Sequence, residues 1–340
     1  MTDPTLQDAL ARSLKDLRVS LTDRCNFRCT YCMPMSEFGP GFSFLPRASL
    51  LSFDEIERVA RLFVRLGVTK IRLTGGEPLL RPRTEDLIAR LRSIPGVQDL
   101  AMTTNGFLLT PARAAALRAA GLNRVTVSLD ALDPAVFRTM NGVGAEPSRV
   151  LSAIDAAAAA GLSPVKINMV VERGVNDQEI LPMAERFRGT GHILRLIEFM
   201  DVGNHNHWRM ERVVSGQEMI GRIDAAYPLT ALPPTSPGEV ARRYAYRDGQ
   251  GEIGVIQSVT APFCGACTRA RVSADGTVFT CLFASRGFPL AFHLRAGESD
   301  QAILARLGAL WRQRADRYSE ERQTVRADSP PKVEMFRIGG

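Results

Sequence analysis

No apolar run in this 340-residue chain is long enough to span a bilayer. Residues Met1 to Arg12 lack the basic, apolar and cleavage-site succession of a secretory signal. The expectation is a cytoplasmic protein with no membrane partner. Basic runs interleaved with aromatics are missing too, so nucleic acid is not an expected partner. Histidine is scarce: His192, His205, His207 and His293 are the four present, and none lies near a cysteine group in sequence. His205 and His207 flank Asn206 in a polar loop and read as solvated rather than as ligands. Disulfides are not expected either, because six cysteines at tight spacings in a reducing compartment point to metal binding.

What is present is concentrated. Cys25-Asn26-Phe27-Arg28-Cys29-Thr30-Tyr31-Cys32 puts three thiols within eight positions, directly after the strand-like run Leu17–Leu21. Three thiolates at this spacing supply all but one of the protein ligands that a four-iron cluster normally takes. The formal net charge of +7 comes from an arginine-rich set. Guanidinium forks suit phosphate oxygens, so an anionic ligand fits, although an ordinary arginine-rich surface has the same composition.

From Leu17 to about Met200 strand and helix patterns alternate. The strands are expected at Leu17–Leu21, Thr69–Leu73, Asp99–Thr103, Arg124–Leu129, Pro164–Val171 and Ile193–Phe199. The helices are expected at Phe53–Leu66, Thr84–Ile94, Pro111–Ala120, Ser148–Ala160 and Asp177–Phe187. Three of them stop at a glycine: Gly67, Gly121 or Gly161. Such units make a parallel sheet with right-handed crossovers. Six units suit an incomplete (β/α)6 TIM-like part-barrel, with a doubly wound sheet as the alternative. The polar and glycine motifs fall at the carboxyl ends of the strands, among them Thr74-Gly75-Gly76-Glu77-Pro78, Thr103-Thr104-Asn105-Gly106 and Ser128-Leu129-Asp130. One shared cavity is expected there.

After Gly203 the alternation breaks down. A helix is expected near Ser215–Ile223, then strands at Arg242–Tyr246 and Glu252–Val259. A hairpin over Thr268–Val272 and Thr277–Leu282 turns at Ser273-Ala274-Asp275-Gly276, and a helix follows at about Asp300–Arg314. The division expected is a lead segment 1–16, a part-barrel 17–210 and a C-terminal region 211–340, an extension rather than an independent domain. The hairpin can return Cys281 to the Cys264-Gly265-Ala266-Cys267 turn, making a second triplet. Zinc and a redox Cys-x-x-Cys pair are the alternatives for this set. Arg269 and Arg271 share one face of the strand between these cysteines; they could hold a polyphosphate or simply face solvent.

Cys25-x-x-x-Cys29-x-x-Cys32 with Tyr31, together with Gly75-Gly76-Glu77-Pro78, resembles the radical S-adenosylmethionine (SAM) superfamily. The second triplet, the Thr268-Arg269-Ala270-Arg271 link and the terminal Gly339-Gly340 narrow the resemblance to the GTP 3′,8-cyclase family of molybdenum cofactor biosynthesis. The resemblance runs from about Leu17 to Gly340. It implies two 4Fe-4S clusters, one on Cys25, Cys29 and Cys32 and one on Cys264, Cys267 and Cys281. It implies SAM contacts at Tyr31, Gly76, Ser128 and Met200, and GTP contacts at Arg18, Arg72, Thr103, Lys166, Arg269 and Arg271. Arg269, Arg271, Gly339 and Gly340 are the implied catalytic set, with Arg195 a lesser candidate. Without the family, Met200 reads as core packing, and Ser128 and Thr103 as turn or capping residues. An external one-electron donor, a homodimer and a downstream cyclic pyranopterin monophosphate synthase complete the implied setting. The competing readings are another radical SAM enzyme with an auxiliary cluster and a zinc-stabilised binding protein without catalysis.

Overall fold

Successive side chains of a strand point to opposite faces, and here the two faces carry opposite chemistry. One face of the six N-terminal strands bears Leu17, Val19, Ile71, Leu73, Leu100, Met102, Val125, Val127, Ile167, Met169, Leu194 and Leu196, each at most 2% exposed. These join Ile56, Leu62, Phe63, Leu87, Leu91, Leu117 and Ile154 of the surrounding helices in one apolar core. Burying each such side chain is worth about 1.5–3 kcal/mol. The other face bears Arg18, Arg72, Thr103, Lys166 and Arg195, which line a cavity instead.

The computed structural model describes residues 6–236, 238–324 and 330–339. Its strands are β1 (Asp16–Ser20), β2 (Lys70–Thr74), β3 (Asp99–Thr104), β4 (Arg124–Ser128), β5 (Lys166–Val171), β6 (Ile193–Glu198), β7 (Leu229–Leu232), β8 (Arg242–Tyr246), β9 (Glu252–Ile256), β10 (Arg269–Val272) and β11 (Val278–Phe279). The helices are α1 (Phe53–Arg65), α2 (Thr84–Arg92), α3 (Pro111–Ala119), α4 (Pro134–Asn141), α5 (Pro147–Ala159), α6 (Ile180–Phe187), α7 (Gly216–Ala226), α8 (Leu290–Arg295), α9 (Asp300–Arg312), α10 (Tyr318–Glu321) and α11 (Met335–Ile338). The six expected strands lie within two residues of their expected limits. They pair in sequence order, β1 through β6, all parallel. A doubly wound sheet would reverse its order at a switch point; this one does not. The sheet is open, a partial TIM-like barrel.

The C-terminal region enlarges the same sheet at both ends. β9 joins β6 and β10 joins β1, both parallel, so eight neighbouring strands run one way. β8 and β7 then extend one edge, and β11 the other, antiparallel. The extension expected from the sequence is thus structurally continuous with the barrel. The expected strand Thr277–Leu282 shortens to β11, because the Thr280 carbonyl accepts a hydrogen bond from Arg314 Nε at 3.1 Å. The chain turns there and carries Cys281 back toward the cavity.

Helix α4 was not expected from the hydrophobic pattern. Its ends were legible, since Asp133 caps Ala135 and Val136 and Gly142 closes it at φ 65°. The lead segment also differs from a loose arm. Leu6 and Leu14 are buried in the main core, and the Trp311 indole N–H of α9 donates to the Arg12 carbonyl at 3.0 Å.

Candidate active site

A cavity of about 1160 Å³ runs along the inner face of the sheet, from the carboxyl ends of the strands (Gly76, Asn105, Ser128) to their amino ends (Asp16, Lys70, Arg124). All six cysteines line it, as do Tyr31, Gly76, Ser128, Met200, Arg18, Arg72, Thr103, Lys166, Arg195, Arg269 and Arg271. The shared cavity expected from the strand-end motifs is therefore present.

The loop carrying Cys25, Cys29 and Cys32 is shaped by backbone groups. Cys32 N–H and Met33 N–H both donate to the Cys29 carbonyl, at 3.0 and 2.8 Å. Carbonyls at the end of α4 receive Arg28 N–H and Thr30 N–H, so the unexpected helix supports the cysteine loop. Phe27 N–H lies 3.4 Å from Cys25 Sγ and Asn105 Nδ2 lies 3.8 Å from it. The Gly75-Gly76 turn packs against Thr22–Arg24, the approach to Cys25. Gly76 N–H donates to the Thr22 carbonyl at 2.8 Å, and a Cβ at Gly76 would collide with the Arg24 carbonyl. Glu77, fully buried, accepts from Thr104 Oγ1, Asn105 N–H and Leu79 N–H, tying this turn to the end of β3.

Burial pushes the Cys25 thiol up to about 12, with Glu77 adding to the effect. Cys29 and Cys32 are also raised, first by burial and then by Asp130 and Cys25 respectively. Thiolates are therefore costly here unless a metal group stabilises them. Among the described residues no three His, Cys, Asp or Glu side chains form a group able to hold a single metal ion. A tetrahedral zinc site must converge its sulfurs to ~2.3 Å from one point, whereas a cluster spreads its cysteines round a cube. Three sulfur donors lining one cavity, with N–H groups aimed at a sulfur, fit an iron–sulfur cluster.

The second triplet sits in different surroundings. Burial pushes the Cys267 thiol up, but Arg269 and Arg314 beside it outweigh burial and bring it down to about 7. Cys281 is pushed up to about 11 by burial, then by Asp316. Phe283 N–H approaches Cys281 Sγ at 3.5 Å, and Cys267 N–H closes the turn onto the Cys264 carbonyl at 3.1 Å. The donor set again fits a cluster with three protein ligands.

Between the triplets lies a comb of cations. Pairing registers place Arg271 of β10, Arg18 of β1 and Arg72 of β2 on one rung. Arg72 Nη1 donates to Thr103 and Thr126 hydroxyls at 3.0 and 3.1 Å, and Arg195 Nη2 reaches Thr126 at 3.2 Å. The Nε atoms of Arg18, Arg72 and Arg195 are buried without a partner. Burial, then the Arg271 and Arg72 charges, hold Arg18 well below its ordinary range. Burial followed by neighbouring arginines lowers Lys166 to about 8, Arg195 to about 9 and Arg271 to about 10. Unpaired like charges in a half-dry lumen are unfavourable, and a polyanion relieves them.

Arg271 also donates to the carbonyls of Ile338 and Gly339, bringing the C-terminal tail to β10. Gly339 has φ 71°, and a Cβ there would strike Thr74. Gly340 lies outside the described residues. Tyr31 donates its hydroxyl to Asp130 at 2.9 Å, and burial raises Asp130 to about 6. Met200 Sδ accepts from Ser258 Oγ at 3.3 Å. His205 is not simply solvated: its ring meets Phe38 edge-on and stands 3.5 Å from Glu37 and 3.7 Å from Glu334. Asn168, two residues along β5 from Lys166, lines the cavity as well; Lys70 and Arg124 also line it and were missed. Counting alternate positions back from Arg72 on β2 and from Ser128 on β4 would have found them.

Residues 19–187 match the family model described as the Radical SAM superfamily, and residues 192–320 that described as Molybdenum Cofactor Synthesis C. A GTP 3′,8-cyclase of Acidothermus cellulolyticus is 54% identical over 326 residues, covering 95% of this chain and 90% of the relative. One from Xanthomonas axonopodis pv. citri is 53% identical over 340 residues, covering 100% of both. One from Staphylococcus carnosus is 47% identical, covering 98% of this chain and 99% of the relative. Among solved structures, Streptococcus suis SuiB bound to S-adenosylmethionine has a TM-score of 0.61 at 14% identity, covering 93% of this chain and 69% of that one. That likeness is one of fold.

Proposed function

The chain belongs to the GTP 3′,8-cyclase family of the radical SAM superfamily, and on that premise we propose how its residues divide the work. It is an enzyme of molybdenum cofactor biosynthesis that uses an iron–sulfur cluster and SAM, with GTP as substrate. Cys25, Cys29 and Cys32 would hold the cluster that binds SAM. Cys264, Cys267 and Cys281 would hold a second cluster facing the guanine base. When bound, the first cluster and SAM supply the 5′-deoxyadenosyl radical that takes hydrogen from the ribose 3′ carbon, leading to 3′,8-cyclo-7,8-dihydro-GTP.

The observation that carries this division is the set of unpaired cations between two cysteine triplets. Arg18, Arg72, Lys166, Arg195 and Arg271 would neutralise the triphosphate, and Thr103 would orient it. Arg269, stacked 5.4 Å over Phe263, stands beside Cys267 and would act between phosphate and base. Tyr31, Gly76, Ser128 and Met200 would contact SAM, with Asp130 fixing the Tyr31 ring. Gly339 and Gly340 would close on the substrate through backbone alone, excluding water from the radical. Functionally, residues 17–210 form the radical-generating part and 211–340 the substrate-holding part, with 1–16 as an accessory segment. The matched family models divide earlier, between residues 187 and 192, with β6 in the second. Among the described residues no helix is long and apolar enough to cross a membrane. A cytoplasmic homodimer, reduced by an external one-electron donor and serving a downstream cyclic pyranopterin monophosphate synthase, is the setting we assign.

The test is anaerobic incubation of reconstituted protein with GTP, SAM and a strong reductant. Both 5′-deoxyadenosine and the cyclised nucleotide are expected. Absence of both would sink the reading. Cleavage of SAM with no cyclised nucleotide would leave a radical SAM enzyme of other specificity.

A further inference from the structure

Three side chains that the reaction scheme does not use converge behind the second cysteine triplet. Asp8, Arg12 and Arg314 have side chains at most 2% exposed. Asp8 Oδ1 accepts Leu10 N–H and Arg12 N–H, both at 2.9 Å, making a tight local turn. Its Oδ2 accepts Arg12 Nε at 2.6 Å and Arg314 Nη1 at 2.9 Å. One carboxylate thus joins two guanidiniums from opposite ends of the chain.

The same guanidiniums also hold the cysteine loops. Arg12 Nη1 donates to the Cys264 carbonyl at 2.8 Å. Arg314 Nη1 donates to the Cys267 carbonyl at 2.9 Å, and its Nε to the Thr280 carbonyl, the residue before Cys281, at 3.1 Å. Each cysteine of the triplet therefore has its own or its preceding carbonyl fixed by one of two arginines. The remaining contacts brace the arginines themselves. Arg12 Nη1 also reaches the Asp316 carbonyl at 2.8 Å, Asp316 Oδ2 lies 3.3 Å from Arg314 Nε, and the Arg314 guanidinium lies 4.7 Å from the Trp311 ring centre. Arg12 Nη2 is buried without a partner, and both arginines border the cavity.

A buried charged triad is weak evidence of stabilisation, because apolar residues of like volume usually do as well. What guanidinium forks supply that apolar residues cannot is several N–H groups in fixed directions. We propose that Asp8, Arg12 and Arg314 are positioning residues that set the geometry of Cys264, Cys267 and Cys281 for their cluster. The N-terminal segment is then a working part of the substrate-holding half. This rests on the reading that the second triplet holds a cluster.

The experiment compares wild type with Arg314→Lys, Arg12→Met and Asp8→Asn after anaerobic reconstitution. Asp8→Asn keeps the shape of the clasp, and Arg314→Lys keeps its charge. Wild type is expected to hold about eight irons and the variants about four, from two four-iron clusters and one. The variants keep SAM cleavage, retain the first cluster's electron paramagnetic resonance signal and lose the GTP-sensitive second signal. Their cyclisation falls by about 10–100-fold, the usual cost of removing a group that orients a metal ligand. Variants with full iron and an unchanged second signal and midpoint potential would overturn the proposal. So would loss of both clusters and of the folded thermal transition in all three, which would make the clasp a general brace. A wild type that reconstitutes with only about four irons would remove the second-cluster reading itself, a separate and recognisable failure.

Discussion

Lys166 shows how much a single position on a strand can decide. It sits on the inner face of β5, opposite Thr126 in the β4 register. Burial, then Arg195, Arg124 and Arg72, lowers it to about 8 from the ordinary 10.5. Between those two values the unfolded chain binds more protons than the folded one, so this residue makes stability rise with pH there. Triphosphate binding acts the other way, since it favours the charged ammonium. GTP affinity should therefore fall as pH rises through about 8, by up to about tenfold per unit beyond it. Isothermal titration in buffers of different ionisation enthalpy should show proton uptake on binding near that pH. Lys166→Arg should flatten the dependence, and a pH-independent wild-type affinity between 7 and about 9 would remove Lys166 from the phosphate site. At this scale the sequence was partly legible. Arg18, Arg72 and Lys166 interrupt apolar strands at alternate positions. Asp8, Arg12 and Arg314 gave no signal, because the clasp closes only when Arg314 meets Asp8, 306 residues away, and Arg12 meets Cys264, 252 residues away.

At the scale of elements, the loop after β6 and the C-terminal tail form a latch. Lys332 Nζ donates to Asp201 Oδ2 at 2.7 Å and to the Asp201 carbonyl at 2.6 Å. Arg322 Nε reaches Asp201 Oδ1 at 2.8 Å, and the Tyr318 hydroxyl donates to the same carboxylate. Asn204 and Lys332 exchange two hydrogen bonds, at 2.7 and 3.0 Å. This pins the segment that runs into α11 and delivers Gly339 to Arg271. The two Asn204 bonds are exposed, so each contributes about 0.5–1.5 kcal/mol to holding the tail. Asn204→Ala should therefore leave iron content and SAM cleavage intact, lower the yield of cyclised nucleotide per 5′-deoxyadenosine, and expose the tail to limited proteolysis. Unchanged coupling would mean the latch is only packing. Strand positions β1 to β6 were legible because their apolar face repeats every second residue. The attachment of β9 and β10 to the two ends of that sheet was not, since a strand's sequence does not name its neighbour.

The interior of the whole molecule departs from that of an ordinary eight-stranded barrel, where layers of branched apolar side chains fill the lumen. Eight parallel strands are present here too, yet the rungs facing inward hold Arg271, Arg18 and Arg72, then Thr103, Thr126 and Lys166. The main apolar core lies between sheet and helices, and the lumen is kept cationic at a cost to the free protein. Replacing a cation that burial and like charges oppose by an apolar side chain of similar size should stabilise the ligand-free protein. Arg18 is the best place to see this, as burial and two neighbouring guanidiniums all oppose its charge. Arg18→Met should raise the ligand-free melting temperature, while GTP, which should stabilise wild type by about 2.7 kcal/mol at a hundred times its Kd, should stabilise the variant much less. The two effects have opposite sign and can be read from one pair of thermal melts. If Arg18→Met instead melts lower without ligand, the guanidinium is satisfied by groups inside the fold, and the comb is a structural network rather than a site held open for a polyanion.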